Sequence, residues 1–352
     1  MSEQYRVIVM GSGFGSRGHV WIVQEHPSFV LAGLVGTTRN SPARDSARQM
    51  GVPYYPGLKA MITEEDSDSV DLVVVATPPY QHFDNVMNAL HHGISVLAEK
   101  PLAANALEAA KMVMAARATE HYGWVNFEFR MLAARRKLAQ MMSSSSPKGH
   151  WLSFYWLLGG SGYGAYMNRA VSWNTDGTLG GGYMGAIGSH LIDYLITLFG
   201  RVATVQALKV IDVPQRRDGI NRADDGFSVI FTFESGVSGV LHYRSASRKA
   251  MESVLEVTGS DGGYRLVNDQ NLYAFDSSGT LSLLETEDDA LPPVPVGMDA
   301  SLQCTWRTYS MIAGALTGTG EGEVPTFEDG LLVQRVMDAI DHSYLMGLRC
   351  NV

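Results

Sequence analysis

Three short stretches hold residues whose types and spacing could do chemistry. In "ISVLAEKPLA", an apolar run from Ile94 to Ala98 stops at Glu99, Lys100 and Pro101. A lysine at such a strand end could hold and pass a proton, and the carboxylate beside it would tune that step. In "GSHLID", His190 and Asp193 stand three apart, hence on one side of a helix. An imidazole titrates near neutrality, which suits proton relay. In "VIVMGSGFGS", Gly11, Gly13 and Ser16 fall at the offsets of a phosphate-binding glycine loop, with Ser in the third glycine's place. Each stretch also has a plain reading: a solvated lysine paired with Glu99, a core histidine beside Ile187, Leu191, Tyr194 and Leu195, and an ordinary turn.

The elements around the glycines favour the chemical reading. "YRVIVM" (5–10) reads as a strand and a helical stretch follows to about His26. Gly11 would make the tight turn, Gly13 would let the backbone approach closely, and Phe14 and Gly15 would open a helix whose N-terminus faces a pyrophosphate. The next strand, "FVLAGLVG" (29–36), ends in Thr37, Thr38 and Arg39 with no carboxylate. A site that prefers NAD usually holds the ribose 2′-hydroxyl with Asp or Glu. An acid there would repel a 2′-phosphate, whereas two hydroxyls and a guanidinium would hold it. NADP(H) is therefore favoured, with NAD(H) as the alternative.

Apolar strands at 69–79, 93–101 and 122–129 alternate with helical stretches at 42–50, 80–92 and 106–121. This alternation predicts an α/β domain over 1–126 with a doubly wound parallel sheet. Beyond it, "SSSSPKG" (143–149) reads as a loop, 159–182 is rich in glycine and aromatics, and 183–200 reads as a helix closed by Gly200. Alternating runs such as "DGFSVIFTF" and "LEVTGSDGGYRLV" predict hairpins. Helices are predicted at about 299–317 and 327–346. Residues 127–352 thus read as an α+β domain with a large, mainly antiparallel open sheet.

With 352 residues, 45% of them hydrophobic, the chain is long enough for two cores. A net charge of −9 argues against a nucleic-acid surface, which needs clustered cations. Cys304 and Cys350 give no disulfide framework, and no His, Cys, Asp or Glu cluster has metal spacing, so no metal is expected. No apolar run reaches membrane length, and no signal pattern precedes the first strand. The expectation is a cytoplasmic protein.

The order of "GSGFGSRGH", "VVVATPPYQH" (73–82), "VLAEKPLA" (96–103) and "GGGYMGAIGSHLID" (180–193) resembles the glucose-fructose oxidoreductase/inositol dehydrogenase (Gfo/Idh/MocA) family. "PTFEDGLLVQRVMDAIDHS" (325–343) resembles that family's closing helix, so the likeness spans the chain. The resemblance implies a cis Lys100–Pro101 peptide and Lys100 as principal acid/base, with His190 assisting. It implies cofactor contacts from Gly11, Gly13, Phe14, Gly15, Thr37, Thr38, Arg39, Thr77, Pro78, His82, Glu99 and Lys100. It further implies hydride transfer between the nicotinamide and a sugar, cyclitol or related hydroxy/keto compound, and homodimers or homotetramers formed through the second-domain sheet.

One departure matters. Many relatives have Asp four residues before the histidine, where this chain has Ala186. Tyr163, Tyr166, Asp176, Tyr183 and, more weakly, Asp193 are candidates to fill that polar role. Arg169 and Trp173 join them as expected substrate contacts. Two rival readings share the fold: a glycosidase working by transient oxidation on bound NAD, and a non-catalytic nucleotide sensor.

Overall fold

The computed structural model describes residues 4–38, 41–64, 69–119, 121–145, 152–159, 163–249, 251–286, 290–319 and 324–352. The chain folds into two units. The first holds residues 1–128 and 290–331, the second 129–289 and 332–352. A single cut at 126 therefore describes chain order but not the packing of 290–331.

The first unit is built on six short parallel strands: β1 (Tyr5–Met10), β2 (Phe29–Val35), β3 (Tyr54–Tyr55), β4 (Leu72–Val75), β5 (Ser95–Ala98) and β6 (Gly123–Val125). Their order is 3-2-1-4-5-6. Val7, Ile8, Val9, Leu72, Val73, Val74, Val96 and Leu97 are fully buried, as strands covered on both faces must be. Between them run α1 (Phe14–Glu25), α2 (Pro42–Met50), α3 (Leu58–Glu64), α4 (His82–His91) and α5 (Ala106–Thr119). The ends of α2 follow from local chemistry. The Ser41 side chain accepts from the Ala43 N–H, Pro42 opens the first turn, and Gly51 closes it at φ 70°. The strand order reverses between β1 and β4, which sets a ligand crevice at their carboxyl ends.

The second unit begins with α6 (Ala133–Ser145), β7 (Leu152–Gly159), α7 (Tyr163–Met167) and α8 (Ser189–Phe199). Then come β8 (Val202–Val210), a two-stranded ribbon of β9 (Gln215–Arg216) and β10 (Gly219–Ile220), and hairpin strands β11 (Gly226–Phe233) and β12 (Ser238–Arg244). Strands β13 (Val254–Gly259), β14 (Gly262–Val267), β15 (Asn271–Asp276) and β16 (Leu281–Leu284) follow, and β17 (Cys350–Asn351) adds an edge. The nine-stranded sheet has the order 16-15-14-13-7-12-11-8-17. It is antiparallel except where β7 pairs with β12. Phe227, Val229, Phe231 and Phe233 alternate inward, as their spacing predicts. The stretch 183–200 is not one regular helix: Met184–Gly188 form a π-helical segment before α8. Of "SSSSPKG", Ser143–Ser145 end α6, and 146–149 lie outside the described residues.

Helix α9 (Leu302–Thr317) belongs to the first unit. Its Leu302, Trp306, Tyr309, Ile312 and Ala313 join the core formed by α1, β1 and β2. A Cβ on Gly18 of α1 would lie 2.4 Å from a Leu302 methyl, so α9 packs closely over this turn and a larger residue there would make Leu302 shift. Trp306 packs at 5.7 Å from Trp21 and 4.9 Å from His26, centroid to centroid. The closing helix is α10 (Phe327–Met346). Among the described residues no helix is long and apolar enough to cross a membrane.

Candidate active site

The crevice of the first unit is assembled from strand ends. After β1, Gly11 has φ 126°, and a Cβ there would lie 2.4 Å from the Ala76 carbonyl oxygen beyond β4. Only glycine meets both conditions. Around a Cβ placed on Gly13 there is nothing within 4 Å, so the backbone there faces open space. Gly13 also precedes α1, which has no side-chain cap and no acidic residue in its first turn. Its N–H groups and the positive end of its dipole are thus left for an anion. Ser16, in the third glycine's place, turns its hydroxyl back onto the Gly13 carbonyl at 2.9 Å. A cleft of about 380 Å3 opens beside this turn, bounded by Gly11, Ser12, Ser16 and Arg17, with Ala43 and Ser46 from α2.

At the end of β2, Thr37 and Thr38 are exposed, and the Tyr54 hydroxyl donates to the Thr38 carbonyl. Arg39 lies outside the described residues, as do the side chains of Phe14, Gly15 and Tyr166.

At the end of β4, Thr77 is buried, and its Oγ1 has no hydrogen-bond partner among the described residues. A buried hydroxyl without a partner is costly unless a ligand supplies one. Pro78 is half-buried beside it. His82 is fully buried, with Nε2 2.7 Å from the Thr77 carbonyl and Nδ1 3.1 and 3.2 Å from those of Pro101 and Leu102. Burial pushes its pKa down, the carbonyls of Thr77, Leu102 and Pro101 pull it back up, and the ring lies between the two crevice loops that carry them.

Lys100 follows β5, and its peptide bond to Pro101 is cis. Beneath it lies a polar chain. The Tyr309 hydroxyl is 3.0 Å from His19 Nδ1, and His19 Nε2 is 3.0 Å from Glu99 Oε1. Asn126 donates to the same oxygen at 2.8 Å, and the Lys100 backbone N–H donates to Glu99 Oε2 at 3.3 Å. Burial disfavours the Glu99 carboxylate, but His19, the Lys100 ammonium and Asn126 outweigh it and hold the pKa at about 2. Glu128 is also buried. Desolvation and the charge of Glu99 push its pKa up to about 8, so it carries a proton at neutral pH. The Asn126 Oδ1 has no partner among the described residues.

In the second unit, His190 is 2% exposed and stacks on Phe129 at 4.1 Å. Asp193, one turn on, is 1% exposed and grips Arg130 with both oxygens, at 2.6 and 2.5 Å. That pair gives Asp193 a structural task. Ala186 is exposed on the π-helical segment. Tyr183 is half-buried and accepts from Arg169 Nη1 at 3.0 Å. Tyr163 lies under the Arg248 guanidinium, 5.0 Å from ring centre to carbon, and Trp173 is exposed. Asp176 accepts from the Thr178 N–H and hydroxyl, which shapes its own loop and holds its pKa low.

Sequence reasoning missed Ser12, Arg17 and Asn126. Asn126 stands just past the last parallel strand, where such sheets bind ligands, and Arg17 is a cation in the first turn after the glycines. Those positions were the available signals.

The profile of an oxidoreductase family with an NAD-binding Rossmann fold matches residues 5–127, and its C-terminal-domain profile matches 157–265. The chain belongs to the Gfo/Idh/MocA family. It is an NAD-binding oxidoreductase. It is similar to the D-apiose dehydrogenase of Paraburkholderia graminis, 25% identical over 303 residues, covering 83% of this chain and 74% of that one. It is 29% identical over 286 residues to a putative UDP-kanosamine synthase oxidoreductase subunit of Amycolatopsis mediterranei, covering 73% of each chain. In fold it matches levoglucosan dehydrogenase solved with NADH and levoglucosan: TM-score 0.82, 22% identity, 99% of both chains.

The first unit fits the dinucleotide of such a Gfo/Idh/MocA enzyme. The open backbone at Gly13, the uncapped α1 and the unpartnered Thr77 hydroxyl are features that a diphosphate and its neighbours would complete. A bound nicotinamide supplies a hydride donor or acceptor at ring C4.

Proposed function

We propose that this oxidoreductase uses NADP(H) in preference to NAD(H) to move hydride to or from a carbinol carbon of a sugar, cyclitol or related hydroxy/keto compound. Lys100 gives or takes the hydroxyl proton, and His190 is the second proton-handling group. The observation that carries this reading is the setting of Lys100. It stands at the carboxyl end of a parallel strand with an ionised Glu99 fixed beside it by His19 and Asn126. The named activities of the apiose and levoglucosan dehydrogenases support the substrate class.

A set of polyols and ketoses assayed with both cofactors tests the proposal. Lys100→Ala should keep cofactor binding and lose about 10²- to 10⁴-fold in turnover. Turnover that survives this substitution would remove Lys100 from the chemistry.

Support for NADP(H) comes from the exposed Thr37 and Thr38 and from the lack of any carboxylate at 36–38. Thr38→Asp should reverse the preference by repelling the 2′-phosphate, read as the ratio of kcat/KM for the two cofactors. We further propose a cytoplasmic protein that pairs through the outer face of the nine-stranded sheet. Leu208, Ile230, Val240 and Leu157 are exposed on that face. The register places Ile230 next to Val240, and Leu208 two strands from His242.

A further inference from the structure

A buried row of polar groups runs under the strand ends of the first unit, and α9 supplies one end of it. The row reads Tyr309 of α9, His19 of α1, Glu99 after β5 and Asn126 after β6, all within the first unit. Tyr309, His19 and Asn126 are each at most 2% exposed. Docking of α9 does not require such a row, because Leu302, Trp306, Ile312 and Ala313 already give the helix an apolar face. A buried polar network adds little stability for its cost, but one whose bonds are made selects a single arrangement of its members.

The direction of the bonds follows from the charges. Burial disfavours an ionised Glu99, but His19, Lys100 and Asn126 outweigh it, so the group is a carboxylate and can only accept. Nε2 of His19, 3.0 Å from Glu99 Oε1, is therefore the protonated nitrogen. In the neutral ring Nδ1 is then bare and accepts the Tyr309 O–H at 3.0 Å. Burial, and after it the charge of Glu99, raises the phenol's pKa well above its ordinary value, so that proton stays in place. The row thus runs one way, from phenol to imidazole to carboxylate. Glu99 Oε1 also takes the Asn126 amide at 2.8 Å, and Oε2 takes the Lys100 backbone N–H at 3.3 Å. With both oxygens held, the plane of the carboxylate is set beside Lys100. The other titratable groups whose charges Glu99 meets are Lys100, Glu128 beyond β6 and buried His82 of α4.

We propose that His19 and Tyr309 are positioning residues: through this row they hold the Glu99 carboxylate, as an acceptor in one orientation, beside Lys100, and so serve the proton step without touching substrate. This rests on the oxidoreductase reading above and deepens it, because a segment from late in the chain then braces the group that handles the proton.

The test uses the full chain with its glutamates isotopically labelled at the side-chain carboxyl, so that nuclear magnetic resonance follows Glu99 directly. The signal missing from Glu99→Gln identifies it. In the parent chain Glu99 should stay ionised well below the ordinary glutamate range. In His19→Leu, which removes the imidazole donor, its titration should move to higher pH. His19→Gln offers an amide N–H in place of Nε2–H and should restore the parent's titration. Tyr309→Phe keeps a ring against Phe29, 5.3 Å away, and removes only the hydroxyl, so it carries the test if His19→Leu is unstable. With NADP(H) and a polyol or ketose that the parent turns over, His19→Leu should lose about tenfold in kcat and Tyr309→Phe about threefold. Both losses should come at the parent's cofactor affinity, and His19→Gln should recover most of the first. A Glu99 titration unmoved by His19→Leu, or a kcat unmoved by both substitutions, would overturn the proposal. So would a loss of kcat in Tyr309→Phe that only follows a fall in cofactor affinity, as a merely structural contact predicts. A parent chain with no turnover on any polyol or ketose would sink the oxidoreductase reading, and the carboxyl titration would still decide whether His19 holds Glu99.

Discussion

Glu99 and Glu128 show how one neighbourhood drives two identical side chains in opposite directions. Glu99 meets His19, Lys100 and Asn126 and stays charged, whereas Glu128 meets burial and the charge of Glu99 and stays protonated. The consequences for stability have opposite signs. Glu128 binds its proton more tightly folded than unfolded, so its contribution is complete below about pH 4.5 and fades as pH rises through about 8. Glu99 contributes fully above about pH 4.5, and its contribution is lost as pH falls toward about 2. Glu128→Gln should therefore flatten the fall of Tm with rising pH between these limits, as thermal melts across a buffer series would record. An unchanged slope would mean that Glu128 ionises normally. Tyr309 lies two contacts from Glu99, and helix α9, more than two hundred residues further along the chain, supplies it. No spacing rule links "WRTYS" to "AEKP", and so the sequence does not disclose this support.

At the scale of elements, the β1–α1 turn is the most constrained piece of the crevice. Gly11→Ala places a side chain at φ 126° and 2.4 Å from a carbonyl oxygen. It should cost about 1–3 kcal/mol of stability from backbone strain alone, measured by denaturant unfolding, and weaken cofactor binding in the same protein. Retained stability and affinity would show that the turn can relax. The parallel strands were legible because each is a short apolar run bounded by turn residues, and the hairpin of β11 and β12 because its apolar positions alternate. The π-helical segment before His190 was not, since "MGAIG" fits an α-helical pattern equally well. Nor was the parallel placement of β7 beside β12, because register across a sheet depends on partners some eighty residues away. The crevice followed the same division. Gly11, Gly13 and Lys100 announce themselves by local motif. Thr77 is already named by the family resemblance, whereas Asn126 becomes visible only through an amide oxygen without a partner among the described residues. His82 and Asp193 have partners that no motif discloses, the carbonyls of Thr77, Pro101 and Leu102 for one and the Arg130 guanidinium for the other.

For the whole molecule, the proposed pairing rests on the outer face of the large sheet. Exposed Leu208 and Ile230, each 52% accessible, would be an unusual surface for a chain that remains alone. Ile230→Asp should shift the sedimentation coefficient toward that of one chain while leaving the unfolding midpoint of the first unit close to the parent value. A parent that already sediments as one chain would remove the pairing from the proposal. The face carries polar groups as well, including the Ser228–His242 hydrogen bond of 2.7 Å, so pairing through it would need matched donors as well as apolar area.

The docking of α9 onto Gly18, Trp21 and His26 bears on how the protein is made. A ribosome completes all six parallel strands long before it reaches Trp306, and until then a greasy flank of the nucleotide-binding half stays wet. A gene fragment ending near residue 128 should accordingly yield an aggregating product. Supplying 290–331 as a separate peptide, or splicing it on by a short tether, is the natural way to obtain that half alone. Maturation of the cofactor crevice, with Tyr309 beneath Glu99, is thus a late event in synthesis, although most of its residues are among the earliest translated.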